Sequence, residues 1–144
     1  EERMKKLLKE YLSQYYKGRI KRTQLERRLK NIKEEMSTPI ERDTASFVYR
    51  MSEIETKIEN QKSQIEKALL KVMDIMDFLE ENSTERIILE LRFIDCRNWK
   101  SIEHEMHLSR SSLFAYQDKA LEKLLTFKKV KAILIEYKKT LKKI

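Results

Sequence analysis

The stretch Phe47–Leu79, FVYRMSEIETKIENQKSQIEKALLKVMDIMDFL, carries the longest periodic signal in the chain. Phe47, Met51, Ile54, Ile58, Gln61, Ile65, Ala68, Val72, Ile75 and Leu79 step by alternating fours and threes, so they fall on one stripe of a helix, apolar except at Gln61. At 1.5 Å per residue, a helix of about 35 residues spans ~50 Å. No small globule buries such a helix alone. The 47–79 seam must face the helices that precede it, a second copy of the chain in a homodimer, or both. Gln61 sits where a polar residue sets register between chains, or where a seam residue reaches solvent.

Working outward, Met4, Leu7, Leu8, Tyr11, Leu12, Tyr15 and Tyr16 recur at helical steps, and this first helix is expected to end near Gly18. Thr23 and Glu26 have the spacing of a capping box, which opens a second helix through Leu25, Leu29, Ile32 and Met36. Ser37-Thr38-Pro39 stops it, because a residue before proline is pushed out of the α region. After the seam, Asn82-Ser83-Thr84-Glu85 supplies the next cap and marks a boundary. The expected organisation is therefore a helical, coiled-coil-like dimerisation or partner-binding region over 1–82 and a C-terminal module over 83–144.

The chain has 144 residues with one Gly and one Pro, so almost every position is free to be helical and the fold class is all-α. A single glycine excludes the glycine-rich loops that cradle phosphates or dinucleotides. Thirty-two Lys and Arg against 24 Asp and Glu give a net charge of +8, which favours a polyanionic partner. Residues 1–35 carry +6, 36–82 carry −4, 83–124 are neutral and 125–144 carry +6. Such an asymmetry suits two phosphate-contacting arms, or basic helices docking on an acidic one. Cys96 has no second cysteine to pair with, as expected for a reducing cytoplasm. With no apolar run of the ~18 residues a span needs and no secretion signal near Glu1, no membrane partner is expected.

Between residues 84 and 125 the pattern changes to three short helices. Thr84 to Phe93 is one, with Ile87, Ile88 and Leu91 inward; Trp99 to Met106 is the second; Ser109 caps the third, which runs through Leu113, Tyr116, Ala120, Leu121 and Leu124. His107-Leu108-Ser109 is then the turn of a helix-turn-helix, in which the second helix presents its amino end to a DNA major groove. Ile102, Leu108, Leu113 and Tyr116 are the expected contact between the two helices, with Trp99 closing one side.

The runs Glu85 to Phe93, Asn98 to Ile102, Leu108 to Leu113 and Asp118 to Leu124 resemble region 4 of sigma-70-type factors over about 40 residues. With basic helices and a long coiled-coil-like helix in front, the chain is more similar to phage late-transcription regulators of the ArpU and RinA type than to a complete sigma factor. Two positions depart from the pattern. Glu103 stands where the family usually has Ala, which implies a looser crossing or an outward-turned side chain. His107 stands where it usually has Gly, and must take a left-handed backbone at a cost of order 1 kcal/mol.

The resemblance implies roles for particular residues. Arg110, Ser111, Phe114 and Ala115 would reach base edges, Arg110 by a bidentate pair with guanine worth ~1–3 kcal/mol of discrimination and the apolar pair by thymine methyl contact. Arg97, Lys100, Ser101, Ser109, Ser112 and Lys119 would hold phosphates, helped by the amino end of the recognition helix. Beyond the motif, Val130, Ile133, Leu134, Tyr137, Leu141 and Ile144 mark one more amphipathic helix whose polar face is nearly all lysine, suited to phosphates or an acidic protein surface.

Little else has the pattern of chemistry. His104 and His107 are one residue short of the zinc-protease spacing, and with Cys96 they lack a fourth ligand, so no metal or other cofactor is expected. Cys96 reads as a buried structural thiol, and no paired carboxylates suggest catalysis, so an enzyme is not expected. The tyrosines at 15 and 16 and the methionines at 73 and 76 read as core or dimer contacts. The expected function is a sequence-specific DNA-binding transcription regulator that binds double-stranded DNA near a promoter, acts with RNA polymerase and activates phage late or mobile-element genes. The alternative is a phage small terminase subunit that recognises viral DNA for packaging.

Overall fold

The computed structural model describes residues 1–38 and 43–143. Among them are the helices α1 (Glu2–Leu12), α2 (Gln14–Ser37), α3 (Thr44–Met76), α4 (Thr84–Phe93), α5 (Trp99–Met106), α6 (Arg110–Leu124) and α7 (Lys128–Lys142), and no strand. Pro39 and Ile144 lie outside the described residues.

Helices α2 and α3 form a long antiparallel hairpin: Gly18 lies beside Gln61 and Ile65, while Leu25 and Arg28 share a groove with Ile54 and Lys57. Leu25 and Ile32 of α2 and Phe47 and Ile58 of α3 are its buried residues. The 47–79 seam is thus buried by the same chain, against α2 for most of its length and against the main core at its carboxyl end. Within the chain, Gln61 Nε2 donates to the Gly18 carbonyl at 3.2 Å.

Gly18 does not end the first helix. The break comes at Ser13, whose Oγ donates to the Lys9 carbonyl at 2.7 Å, and α2 runs on through Gly18. A Cβ at Gly18 would stand 3.1 Å from Ile65 Cγ1 and 3.3 Å from Gln61 Nε2, so glycine serves the close approach of two helices and not a stop. Thr23 lies mid-helix and opens no capping box; its hydroxyl donates to the Arg19 carbonyl at 3.1 Å. Helix α2 leaves the α region at Thr38, which is extended.

The main core crosses residue 82. Leu8 and Leu12 of α1, Val72, Ile75 and Met76 of α3, Leu89 of α4, Leu121 and Leu124 of α6, and Val130 and Leu134 of α7 form one buried cluster. Of the residues read as core or dimer contacts, Met76 is fully buried, Tyr15 half-buried, and Tyr16 and Met73 exposed. Tyr11 and Tyr137 meet edge to face across it with ring centres 5.2 Å apart, and burial pushes both phenols above their ordinary range. Arg86 ties the end of α3 to the start of α4 by donating to the Leu79 carbonyl at 3.0 Å and to Asp77 Oδ1 at 3.1 Å. Among the described residues no helix is long and apolar enough to cross a membrane.

Candidate nucleic-acid interface

Helices α4, α5 and α6 close over a second apolar cluster of Ile88, Leu91, Ile102 and Leu113, with Trp99, Met106, Leu108 and Tyr116 packed against it. Each helix starts on a side-chain cap: Ser83 accepts from the Arg86 N–H, Asn98 from that of Ser101 and Ser109 from that of Ser112. Between α5 and α6, His107 takes the left-handed conformation, with φ 54 and ψ 41. That one residue reverses the chain sharply enough for Ile102 and Leu113, both fully buried, to meet across the turn.

The geometry sorts the residues singled out in the sequence. Arg110, Ser111, Phe114 and Ala115 are all exposed on the amino-terminal half of α6. Phe114 is held in place by Trp99, whose ring it meets edge to face at 5.0 Å. Arg110 donates to Glu103 Oε2 at 2.8 Å; the Glu103 side chain has turned outward, so it does not loosen the helix crossing. Lys100 and Lys119 are exposed. Ser109 and Ser112 are engaged with each other at the cap, their hydroxyls 3.0 Å apart, and the first turn of α6 has no acidic residue.

Arg97, read as a phosphate contact, has its side chain engaged within the chain. Its guanidinium donates to the Ser101 hydroxyl and to Glu105, and its carbonyl accepts from Arg92. Arg97 and Ser101 therefore brace the first turn of α5 against the preceding loop. Cys96 is half-buried, not sealed in the core: it has φ 56 and lines a surface groove beside α2. Among the described residues no group of three His, Cys, Asp or Glu side chains converges as a metal site needs.

One pairing had no signal in the sequence. Lys5 of α1 donates to Asp118 Oδ1 and Glu122 Oε1, both at 2.9 Å. These hydrogen bonds raise the Lys5 ammonium well above its ordinary value and lower the Asp118 carboxyl. The contact counters two carboxylates on the flank of α6 that would otherwise repel a polyanion. It also fixes α1 alongside α6.

A scan against protein-family models and searches of curated proteins and of solved structures return no match to this chain.

Proposed function

We propose that this chain is a sequence-specific DNA-binding regulator of transcription that places α6 in the major groove near a promoter of phage late or mobile-element genes, with RNA polymerase as its functional partner. The observation that carries this reading is the joint between α5 and α6. A left-handed His107 and a Ser109 cap leave Arg110, Ser111, Phe114 and Ala115 together on the open amino end of α6. The same two helices carry exposed lysines, Lys100 on α5 and Lys119 on α6. Such an arrangement suits base contacts from the first four and phosphate contacts from the lysines and the α6 amino end.

The mechanism is binding without catalysis. Arg110 must exchange Glu103 for a guanine edge; an exposed ion pair of this kind is worth only ~0.2–1 kcal/mol, and a bidentate contact discriminates against the wrong base by ~1–3 kcal/mol. Phe114, steadied by Trp99, offers an apolar edge to a thymine methyl. The test is selection from a pool of randomised duplexes at near-physiological salt. Recovery of one short motif is expected; recovery of the unselected pool would overturn sequence-specific recognition.

A further inference from the structure

The helix-turn-helix leaves unused a surface groove that lies between α2 and the turn joining α4 to α5. Its α2 wall carries Tyr16, Arg19, Thr23, Gln24 and Arg27; Asp95 and Cys96 close the other side. Among the described residues neither arginine is in an ion pair: Arg19 rests 5.6 Å over the Tyr15 ring, and Arg27 is exposed. Two guanidiniums therefore face a single carboxylate. Tyr16 and Ile20 are 46% and 41% exposed along the same wall.

We infer that this groove is a second contact for the duplex backbone, running on from the amino end of α5, so that one DNA molecule touches α6 and α2 together. The inference rests on the DNA-binding reading and extends its footprint to the N-terminal hairpin. Three features single out a nucleic-acid backbone as the occupant. First, Arg, Thr, Gln and Tyr are side chains that hold phosphate and sugar, and here they share one face of one helix. Second, Asp95 and Cys96, the wall facing α2, stand three and two residues before the Asn98 cap of α5, and exposed Lys100 lies in the first turn of that helix. The groove is therefore only a few residues from the expected phosphate contact at Lys100. Third, Arg19 and Arg27 are eight residues apart, about 12 Å along the helix, against about 3.4 Å of duplex axis per phosphate on one strand. Two guanidiniums at that separation hold two different phosphates.

Set against the duplex backbone and not against base edges, these side chains hold phosphate and sugar, so their contribution is independent of sequence and steep in salt. The test compares wild type, Arg19→Ala/Arg27→Ala and Lys21→Ala/Arg28→Ala on a short duplex of random sequence over a series of salt concentrations. Lys21 and Arg28 are exposed on the opposite flank of α2, so the control loses the same charge elsewhere. The plot of log Kobs against log salt should flatten by about 1.8 in the groove variant, two phosphates at about 0.9 each, and keep its wild-type slope in the control. Thermal melting of both variants should match wild type, since neither pair of side chains is buried. An unchanged slope in the groove variant, or equal flattening in both, would overturn the inference. If wild type binds and Lys100→Ala flattens the slope while the groove variant does not, the inference alone fails. If wild type binds no duplex at low salt, the DNA-binding reading fails with it.

Discussion

Replacing Gly18 by alanine sets two effects of similar size against each other, and their sum reports how closely α2 and α3 approach. Glycine inside a helix costs about 0.8–1.0 kcal/mol relative to alanine, so the backbone gains that much from the change. Against it, the new methyl group would meet Gln61 Nε2 at 3.3 Å and Ile65 Cγ1 at 3.1 Å. Gln61 must give by a few tenths of an ångström, which lengthens its 3.2 Å bond to the Gly18 carbonyl at a cost of up to about 0.5–1.5 kcal/mol, and Ile65 must shift by a similar amount within a packed seam. The expected result is a loss of between zero and about 1 kcal/mol where an exposed helix would have gained about 1. In a Gln61→Ala background the hydrogen bond is already gone, and Gly18→Ala should turn stabilising, a coupling of about 1 kcal/mol across the cycle. Urea unfolding followed by circular dichroism measures all four proteins, and each kcal/mol shifts the melting point by roughly 3–4 °C. Equal stabilisation of about 1 kcal/mol in both backgrounds would refute the close approach, and with it the hairpin register.

Other outcomes follow from the same contacts. Leu113→Ala, which empties a fully buried site between α5 and α6, should cost about 2.7–5 kcal/mol in urea unfolding. Glu103→Gln frees Arg110 and removes a carboxylate from the groove-facing side, so duplex binding measured by fluorescence anisotropy should tighten; unchanged or weaker binding would contradict the assigned position of Arg110. The Lys5 pair sets a pH dependence of known sign. Asp118 has a lowered folded pKa, so its stabilisation is present above the usual carboxylate range and is lost as pH falls through the lowered value. Lys5 has a raised one, so its share is complete below its ordinary value and is lost only at strongly alkaline pH. Melting points of wild type and Lys5→Met should differ at neutral pH and converge in acid; a constant difference would show that the ion pair contributes nothing.

Local signals were the ones the sequence made readable. Ser83, Asn98 and Ser109 each cap a helix by accepting from an N–H three residues on, a relation contained in a four-residue window. For that reason the bounds of α4, α5 and α6 are legible in the sequence, whereas the left-handed turn at His107 follows only from the resemblance, at a position where that family usually has glycine. Gly18 has the local look of a helix stop because the residue that explains it, Gln61, lies 43 positions away. The partners of Arg97, Ser101 and Glu105, become its neighbours only when α5 is wound. Lys5 and Asp118 are 113 positions apart, and no periodicity links them. Arg19 and Arg27 were two among many α2 cations until Asp95 and Cys96 set a wall beside them.

Base reading by Arg110 of α6, as proposed, is decided by titrating wild type and Arg110→Ala against a selected duplex and a random one. The expected loss is about 5- to 150-fold on the selected site, the equivalent of ~1–3 kcal/mol, with a much smaller loss on random duplex. An equal loss on both would mean that Arg110 only holds phosphate, and no loss on either would mean that α6 does not enter the groove.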